Sequence, residues 1–479
     1  MGGMWPTSTA SSIFAGRRDR FLEQFQGTAA IGSGLPRLRN FEGSAFPFRA
    51  SSHFVYFVGR HLPESLIAFD AGKAVLYTPP EDPQAALWHA PAPSLSELSR
   101  ELEMEVLPLS DFEPGADVAT FAPADVESAS WLEEILQRPV TPAGFESLKA
   151  AGPVSEAFPV GDSSSALDQD FPLIDAMIAL RLVHDSGAIE QLRQAAEVTK
   201  RAHLAGFAAT RGAAREADIR AAMEAEICRS GMTTAYNSIV TVSGNVLHHM
   251  TSHAPLVAGQ LILADVGAET PEGWAGDATR TWPVSGRFEG LQADLYDIVL
   301  SVQQRAIARI APGVSYLKVH RQAGEELLDG LIDLGLLRGD REDLAQKGAA
   351  SLFFPHGLGH LLGLDVHDME DLGDRAGYAP GRSRSQDPIG RFLRLDRDLE
   401  AGMAVTVEPG FYMIPALLED KRLRAALDPH INQQLLSEVA KVVSGIRIED
   451  DILVTEEGRE VLTHGIPKVR ADVEAALRD

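Results

Sequence analysis

The sequence predicts two folded regions, a smaller amino-terminal domain of mixed α/β type and a larger α+β domain in which helices pack on one face of an antiparallel sheet. Of the 479 residues, 45% are hydrophobic and 23% are charged, which is typical of a globular protein of two or three domains. Residues up to about Pro172 are rich in proline and short apolar runs, whereas later residues carry long helical patterns. Strands and helices do not alternate regularly, which favours α+β over a parallel sheet with crossover helices.

The domain boundary is expected near Pro172. We expect residues 1–15 to form a loose, polar leader, residues 16–172 the amino-terminal domain and residues 173–479 the larger domain. Residues 161–169 contain three consecutive serines and are the best linker candidate, because such residues mark loops.

Apolar runs bounded by turn residues predict strands in the amino-terminal domain. These strands cover residues 53–59, 64–70 and 73–78, and a helix covers residues 131–136. In the larger domain a helix is expected from Ser186, which can cap it, because apolar residues recur at helical spacing. Further helices are predicted over residues 216–231, 290–310 and 316–336, and strands over residues 237–242, 261–267, 279–284, 403–408 and 445–455.

Charge and hydropathy exclude several classes of partner. The chain has 43 basic and 68 acidic residues, a net charge of −25, and no basic tract, which argues against nucleic acid or anionic lipid. No run approaches about 18 uninterrupted apolar residues, so no membrane span is expected. The amino terminus lacks a basic region followed by an apolar stretch, so no signal peptide is expected.

The sequence contains one cysteine, Cys228, which excludes intramolecular disulfides and thiolate-lined metal sites. It lies in a helical pattern over residues 219–228, which favours a buried structural thiol over a reactive one. A reducing cytoplasm is the location that fits best.

Two aspartates lie at strand positions of the larger domain. Asp265 ends an apolar run that begins at Leu261, and Asp277 lies twelve positions after Asp265. A carboxylate in an apolar strand costs several kcal/mol unless it is paired, although an aspartate that caps a turn would be ordinary. A hairpin of this length brings the two carboxylates opposite one another, where they repel unless a metal ion lies between them.

A glycine-rich segment carries three histidines. His356, His360 and His367 are interleaved with glycines at positions 357, 359 and 363. This pattern does not favour a stable helix, but it lets the backbone pack closely around a ligand. One histidine here would more often be a core residue, whereas three together favour a functional site.

Two later segments place glutamates at the ends of apolar strands. Glu408 closes the predicted strand over residues 403–408 and is followed by Pro-Gly. In the last predicted strand, side-chain alternation puts Arg447, Glu449 and Asp451 on one face.

The aspartates, glutamates and one histidine form an oxygen-rich ligand set. Such a set suits Mn²⁺, or Zn²⁺, Co²⁺ or Fe²⁺, in a two-metal site. Two ions about 3.5–4 Å apart share bridging carboxylates and lower the pKa of a water molecule, which creates a nucleophile near neutral pH. The signatures of serine hydrolases, zincins and phosphate-binding loops are absent from the sequence.

The most specific motifs are HGLGHLLGLDVHD over residues 356–368, TVEPG over residues 406–410 and GIRIED over residues 445–450. With the two ordered aspartates, they resemble the pita-bread metallopeptidase family, specifically its proline-directed members, prolidase and aminopeptidase P. The resemblance covers residues 180–479, and residues 48–59 resemble the family's amino domain. The family usually separates its aspartates by eleven positions, and an extra residue near residues 270–272 would absorb the difference.

The resemblance implies ligands for two divalent ions, with manganese expected first. Asp265 and Asp277 would bind the first ion, and Asp277 would also bridge. His360 and Glu408 would complete the shell of the second ion, and Glu449 would bridge from the last strand.

The resemblance also implies roles for residues around the ions. His248 matches an active-site histidine upstream of the first aspartate, whereas its neighbour His249 is expected to face solvent. His356 and His367 match histidines that contact substrate or stabilise the tetrahedral intermediate. Arg447 resembles an arginine that orients the second bridging glutamate.

The implied activity is exopeptidase cleavage between an N-terminal residue and proline, with Glu408 passing a proton to the leaving nitrogen. Two features favour the dipeptidase, prolidase: the long segment over residues 411–444, and Arg394, which would pair with a dipeptide's carboxylate. Otherwise Arg394 belongs to a solvated basic segment. Tyr412 is a second candidate substrate contact. The alternative is an Xaa-Pro aminopeptidase that acts on longer peptides.

The sequence leaves other functions open. A non-catalytic binding module is a remote alternative, disfavoured because all five ligand residues are present, and creatine- or methionine-type specificity is disfavoured by the amino domain. That domain is expected to help close the pocket and to assemble a homodimer or homotetramer. Trp88 either reaches a neighbouring subunit or is an ordinary buried tryptophan.

Overall fold

The structure is a computed structural model that describes residues 9–41, 43–80, 92–115, 117–140, 167–385 and 387–478. The chain divides into two compact units. The amino-terminal unit comprises Met1–Gly187, Pro271–Gly273 and Met369–Ala376, and the larger unit comprises Ala188–Thr270, Trp274–Asp368 and Gly377–Asp479. Trp88, most of the predicted leader and most of the predicted linker lie outside the described residues.

Helices and strands are numbered in chain order. The helices are α1 (Ser11–Gln24), α2 (Ser52–Val58), α3 (Leu95–Leu102), α4 (Val126–Leu136), α5 (Phe171–Arg181), α6 (Ser186–Thr210), α7 (Glu216–Arg229), α8 (Leu291–Arg309), α9 (Tyr316–Asp333), α10 (Arg341–Gln346), α11 (Ala349–Phe353), α12 (Asp374–Gly377), α13 (Pro415–Leu418), α14 (Lys421–Arg424), α15 (Gln433–Val442) and α16 (Arg470–Ala476). The strands are β1 (Ala29–Gly32), β2 (Leu66–Asp70), β3 (Lys73–Thr78), β4 (Glu105–Pro108), β5 (Thr233–Thr234), β6 (Ile239–Thr241), β7 (Leu261–Asp265), β8 (Ala268–Glu269), β9 (Thr279–Pro283), β10 (Ala404–Val407), β11 (Gly410–Tyr412), β12 (Gly445–Arg447), β13 (Asp450–Thr455) and β14 (Gly458–Val461). None of the described helices has both the length and the apolar composition needed to cross a membrane.

The amino-terminal unit contains a four-stranded mixed sheet in the order β1-β2-β3-β4. The β3–β4 pair is parallel and the other two pairs are antiparallel. Strands β2 and β3 confirm the strands predicted over residues 64–70 and 73–78, and α4 contains the helix predicted over residues 131–136. Leu132 of α4 packs into one buried cluster with Leu66 of β2.

The strand predicted over residues 53–59 is wrong, because these residues form helix α2. Every residue of this helix is buried. A short run without polar interruptions fits a buried strand and a buried helix equally well, so periodicity could not decide. Gly59 ends the helix with a left-handed φ of 68°, at a position where a side chain would overlap the ring of Phe14.

Helix α1 begins at Ser11, inside the segment predicted to be a loose leader. Its buried residues include Arg17 and Arg18, so charged residues interrupt the apolar pattern that would have indicated a helix. The Arg17 guanidinium pairs with Asp185 at 2.8 Å. That pairing offsets the cost of burying the charge.

The larger unit confirms the α+β prediction. Its described strand pairs are all antiparallel, in sheets ordered β6-β7-β9, β10-β13-β14, β11-β12 and β5-β8. The helices predicted from Ser186, Glu216, Gly290 and Tyr316 are present as α6 to α9 and begin within one residue of those positions.

The single strand predicted over residues 445–455 is two strands. Strand β12 pairs with β11, and β13 pairs with β10. The break falls at Glu449, whose N–H donates to the Thr279 carbonyl of β9 at 3.0 Å. Glu449 therefore leaves the ladder for a third strand. The side chains of Arg447 and Glu449 still meet at the Thr279 hydroxyl, and Asp451 Oδ2 accepts from the Asp277 N–H. The three side chains thus point to the same side, as predicted, although they do not belong to one continuous strand.

Cys228 is exposed on α7, so the predicted buried thiol is wrong. The buried positions of this helix include Ile219, Met223 and Ile227, which are four residues apart. Cys228 lies one position beyond this stripe and therefore turns toward solvent.

Candidate metal centre

The β7–β9 hairpin brings the two predicted aspartates together. Asp265 ends β7 and pairs with Thr279 of β9, and Asp277 lies two positions before Thr279. The hydroxyl oxygen of Tyr236 is 2.5 Å from Asp265 Oδ1 and 2.6 Å from Asp277 Oδ1. One hydroxyl contacts both carboxylates, so both acids face the same point.

His360 lies beside Asp277 and Glu408. Its Nε2 atom is 3.5 Å from Asp277 Oδ2 and 3.7 Å from Glu408 Oε1. Its Nδ1 atom is 3.0 Å from the Leu361 carbonyl oxygen. A carbonyl only accepts hydrogen bonds, so Nδ1 carries the proton and Nε2 presents a lone pair to the carboxylates.

The glycine-rich segment runs along β10, which explains how His360 reaches Glu408. The Thr406 N–H donates to the His360 carbonyl at 3.0 Å, and the Glu408 N–H donates to the Leu358 carbonyl at 2.8 Å. A side chain at Gly359 would overlap the Thr406 carbonyl. The glycine therefore permits the close backbone approach that the sequence predicted.

Glu449 joins the cluster from the turn between β12 and β13. Thr279 Oγ1 donates to Glu449 Oε2 at 2.7 Å. One potential ligand atom from each of Asp277, His360 and Glu449 lies within 4.8 Å of the other two. This spacing is close enough for the three side chains to share one cation.

Burial and mutual repulsion raise the pKa values of these carboxyl groups. Burial, followed by the charge of Asp265, raises the pKa of Asp277 to about 7. Burial raises the pKa of Glu408 to about 8 despite the opposing charge of Arg447, and it also raises the pKa of Glu449. A divalent cation would offset the repulsion, so this donor set fits a divalent metal ion.

Arg447 pairs with Asp265, not with Glu449. Its Nη2 donates to Asp265 Oδ2 at 2.6 Å, and its Nε donates to Thr279 Oγ1 at 3.0 Å. Arg447 is thereby linked to Glu449 through the Thr279 hydroxyl. The expected role of Arg447 in orienting Glu449 would act through this hydroxyl and stays a prediction.

His356 and Tyr412 form a hydrogen-bonded pair at the edge of the cluster. His356 Nδ1 donates to the Gly357 carbonyl at 2.7 Å, so Nε2 accepts from the Tyr412 hydroxyl at 2.7 Å. Burial lowers the pKa of His356 to about 3, so the ring is neutral. Tyr412 is 0% exposed. Its hydroxyl is bound to His356, and its predicted substrate contact stays a prediction.

His248 and His367 flank the cluster from two loops. His248 is exposed, and its pKa is lowered by partial desolvation and by the charges of Arg447 and Arg394. The ring of His367 lies 4.1 Å from that of His360, centroid to centroid. His249 keeps part of its surface open to solvent, and its Nδ1 donates to the Thr251 carbonyl at 2.6 Å in an exposed position.

Arg394 is half-buried and close to the cluster. Its positive charge adds to the lowering of the pKa values of His248 and His356, and it opposes the burial that raises the pKa of Glu408. By contrast, its neighbour Arg382 forms ion pairs with two acids of the same segment. Arg394 is therefore a residue of the candidate site as well as a member of a basic stretch.

Two residues of the site were missed from the sequence. Tyr236 lies 29 positions before Asp265, and no local pattern connects the two. Thr279 lies two positions after Asp277 on the incoming strand, so side-chain alternation could have indicated it.

Comparison with known protein families decides the family. Residues 190–456 match the model of metallopeptidase family M24, and residues 14–118 match the aminopeptidase P N-terminal domain. The chain belongs to metallopeptidase family M24. The M24 assignment makes it a metal-dependent peptidase with the pita-bread fold that the motifs predicted.

Relatives of this M24 peptidase are similar over nearly their whole length. It is 32% identical to the Xaa-Pro aminopeptidase of Haemophilus influenzae over 480 residues, which cover 96% of each chain. It is 31% identical to a probable Xaa-Pro aminopeptidase of Talaromyces marneffei over 500 residues, 100% of this chain and 98% of the relative. The structure of zinc-substituted E. coli aminopeptidase P in complex with product is similar with a TM-score of 0.77 at 29% identity, covering 98% of this chain and 99% of that one.

These relatives favour the aminopeptidase alternative over prolidase. The long segment over residues 411–444, taken as a sign of the dipeptidase, contains helices α13 to α15 in this M24 chain. The relatives that are similar over nearly the whole chain are Xaa-Pro aminopeptidases, so the lean toward prolidase is not supported.

Proposed function

We propose that this M24 peptidase is an Xaa-Pro aminopeptidase, which removes the N-terminal residue of peptides whose second residue is proline. The observation that carries the proposal is the gathering of Asp265, Asp277, His360, Glu408 and Glu449 around one buried point in a chain similar to Xaa-Pro aminopeptidases over its full length.

The five side chains are the proposed metal ligands. Four carboxylates and one neutral imidazole suit Mn²⁺ first, with Zn²⁺, Co²⁺ or Fe²⁺ as alternatives, and the shared carboxylates support two ions. When bound, divalent ions supply Lewis acidity toward the scissile carbonyl and lower the pKa of a water molecule.

Glu408 is the proposed proton carrier. Its side chain is 16% exposed, so it keeps an open edge beside His360 while the rest of the carboxyl group is buried. It would accept a proton from the attacking water and deliver it to the leaving prolyl nitrogen.

The histidines and Arg394 are the proposed substrate contacts. His248 keeps an exposed face at the cluster, and His367 lies against His360. Arg394 would hold a carbonyl or carboxylate oxygen of the peptide. Its half-buried charge is the one observation that favours the second candidate, dipeptidase activity, since a dipeptide carries a carboxylate directly after proline.

The domain roles and the assembly are also proposed. Residues 173–479 would form the catalytic domain and residues 16–172 a domain that supports a homodimer or homotetramer. The match of residues 14–118 to the aminopeptidase P N-terminal domain supports a separate role for that region. Sedimentation of the active protein tests the assembly, and a fully active monomer would remove this part of the proposal.

The activity is tested with the purified protein loaded with Mn²⁺. An Xaa-Pro-Yaa tripeptide and the matched Xaa-Pro dipeptide are compared, and products are separated by liquid chromatography. We expect faster cleavage of the tripeptide, and no cleavage by the Asp277→Asn variant. Preference for the dipeptide would favour prolidase, and a metal-loaded protein that cleaves neither peptide would contradict both functions.

A further inference from the structure

Helix α6 buries a column of residues against the hairpin that carries the two aspartates. Ala195, Thr199, His203 and Phe207 recur every four positions, and all four are 0% exposed. At one end of the column, the ring of Phe207 packs edge-on against Trp282 of β9, with centroids 4.7 Å apart. This face of α6 therefore follows the hairpin lengthwise.

The contact is tightest beside Asp277. The Ala268 N–H donates to Thr199 Oγ1 at 3.0 Å. A Cβ added to Gly276 would lie 2.8 Å from Thr199 Oγ1 and 3.1 Å from the carbonyl carbon of Ala195. The glycine directly before Asp277 thus lets the hairpin backbone lie against the helix, and no space remains for it to shift toward α6.

His203 connects the two strands of the hairpin. Its Nε2 atom is 3.1 Å from the Val266 carbonyl oxygen and 3.1 Å from the Ala278 carbonyl oxygen. Val266 directly follows Asp265, and Ala278 directly follows Asp277. A single ring nitrogen therefore reaches the backbone immediately behind each aspartate.

The protonation state of His203 follows from its partners. Both partners of Nε2 are carbonyls, so Nε2 carries the proton and shares it between them. Among the described residues Nδ1 has no hydrogen-bond partner, as expected for the unprotonated nitrogen of a neutral ring. Burial lowers the pKa of His203 to about 4, so the ring stays in this neutral tautomer.

We propose that His203 is a positioning residue of the metal centre, which fixes the separation of Asp265 and Asp277 by tying the backbone behind both. The inference rests on the proposed metal ligands. Carboxylates gathered at one point repel one another before a cation binds, and the repulsion pushes the ends of the hairpin apart. The shared N–H resists that movement, so the aspartates stay close to the geometry that a metal ion requires.

An ordinary buried histidine of the same unit provides a matched control. His320 of α9 is also 0% exposed, and its Nε2 donates to the Ile389 carbonyl at 2.6 Å. Its Nδ1 likewise has no hydrogen-bond partner in the part of the chain that the structure describes. Burial lowers its pKa to about 4 as well. Its hydrogen bond does not involve a strand that carries a proposed ligand, so its loss should affect stability without affecting metal affinity.

The test compares His203→Phe and His320→Phe by calorimetric titration of the metal-free, full-length proteins with Mn²⁺, well below their melting temperatures. We expect both variants to melt earlier, and only His203→Phe to bind Mn²⁺ more weakly, by about tenfold or more. His203→Gln, whose amide offers two N–H donors, should recover most of the affinity. If His203→Phe does not fold, His203→Asn replaces it, because the shorter amide cannot reach both carbonyls.

Unchanged affinity in the folded His203 variants would overturn the inference, and so would an equal loss in His320→Phe or no recovery in His203→Gln. The titration of the wild-type protein distinguishes failure of this inference from failure of the proposed function. A wild-type protein that binds no Mn²⁺ contradicts the metal centre itself, whereas normal wild-type binding with unaffected variants contradicts only the role of His203.

Discussion

Arg447 binds one carboxylate oxygen of Asp265, and the other oxygen of Asp265 faces the carboxylate cluster. The Arg447 guanidinium binds Asp265 Oδ2 at 2.6 Å, while Asp265 Oδ1 faces the Tyr236 hydroxyl at 2.5 Å. The carboxylate is therefore fixed in one orientation before any cation arrives. A charged hydrogen bond of this kind both orients a ligand and balances part of the negative charge of the site.

Arg447→Ala should destabilise the metal-free protein by about 3–5 kcal/mol, because removing one member of a buried pair leaves the other charge uncompensated. Urea denaturation monitored by intrinsic fluorescence measures the loss. Arg193→Ala is the control, since the Arg193–Glu460 pair is exposed and should contribute less than about 1 kcal/mol. Equal losses in the two variants would mean that Arg447 does not stabilise the site.

Tyr236→Phe should destabilise the metal-free protein more than the metal-loaded one. Without a cation, the Tyr236 hydroxyl is the donor between two repelling carboxylates, and its loss should cost about 1–3 kcal/mol. With a cation bound, the metal compensates the same charges. Melting temperatures in EDTA and in excess Mn²⁺ measure the difference. The control is Tyr296→Phe, which removes a buried hydroxyl that donates to the Lys468 carbonyl rather than to the carboxylate cluster. Its melting temperature should fall by the same amount with EDTA and with Mn²⁺.

Stabilisation by metal should increase with pH between about 5 and 8. In the metal-free fold the pKa of Asp277 is raised to about 7 and that of Glu408 to about 8, so the folded state binds more protons than the unfolded state in this window. These two groups therefore lose stabilising free energy as pH rises, and a bound cation restores it. The measurement is the difference in melting temperature between metal-loaded and metal-free protein across pH, in which contributions from distant buried histidines cancel. A difference that stays flat or falls with pH would contradict the raised pKa values.

Arg394→Ala should raise KM with little change in metal content, because Arg394 lies near the histidines but is not a proposed ligand. Loss of a charged hydrogen bond to substrate corresponds to about 1.5–3 kcal/mol. Steady-state kinetics on a tripeptide and on a dipeptide show which substrate depends on it, and a much larger effect on the dipeptide would favour the carboxylate role. Arg391→Ala, at an exposed arginine of the same segment, should leave KM unchanged. An unaffected KM in Arg394→Ala would place Arg394 outside the substrate site.

The sequence predicted the fold class because amphipathic periodicity survives in most elements. Helices α6 to α9 have one buried and one exposed face, which gives a readable helical spacing, and strands β2 and β3 are short runs separated by turn residues. Two of the failed predictions, those for residues 53–59 and for the leader, have a common cause. Helix α2 is buried on all sides and has no polar face, and the buried face of α1 contains Arg17 and Arg18, so neither presents a readable pattern.

The sequence by itself predicted the proposed metal ligands, because carboxylates at the ends of apolar strands and a histidine in a glycine-rich loop stand out from their neighbours. These residues are Asp265, Asp277, His360, Glu408 and Glu449. Only the tertiary structure decided what surrounds them. The partner of Arg447 was Asp265, the contact of Tyr412 was His356, and the donor between the aspartates was a tyrosine 29 positions upstream. Such contacts join segments that are far apart in the chain, and hydrogen-bond geometry over those separations is fixed by packing, which no local pattern encodes.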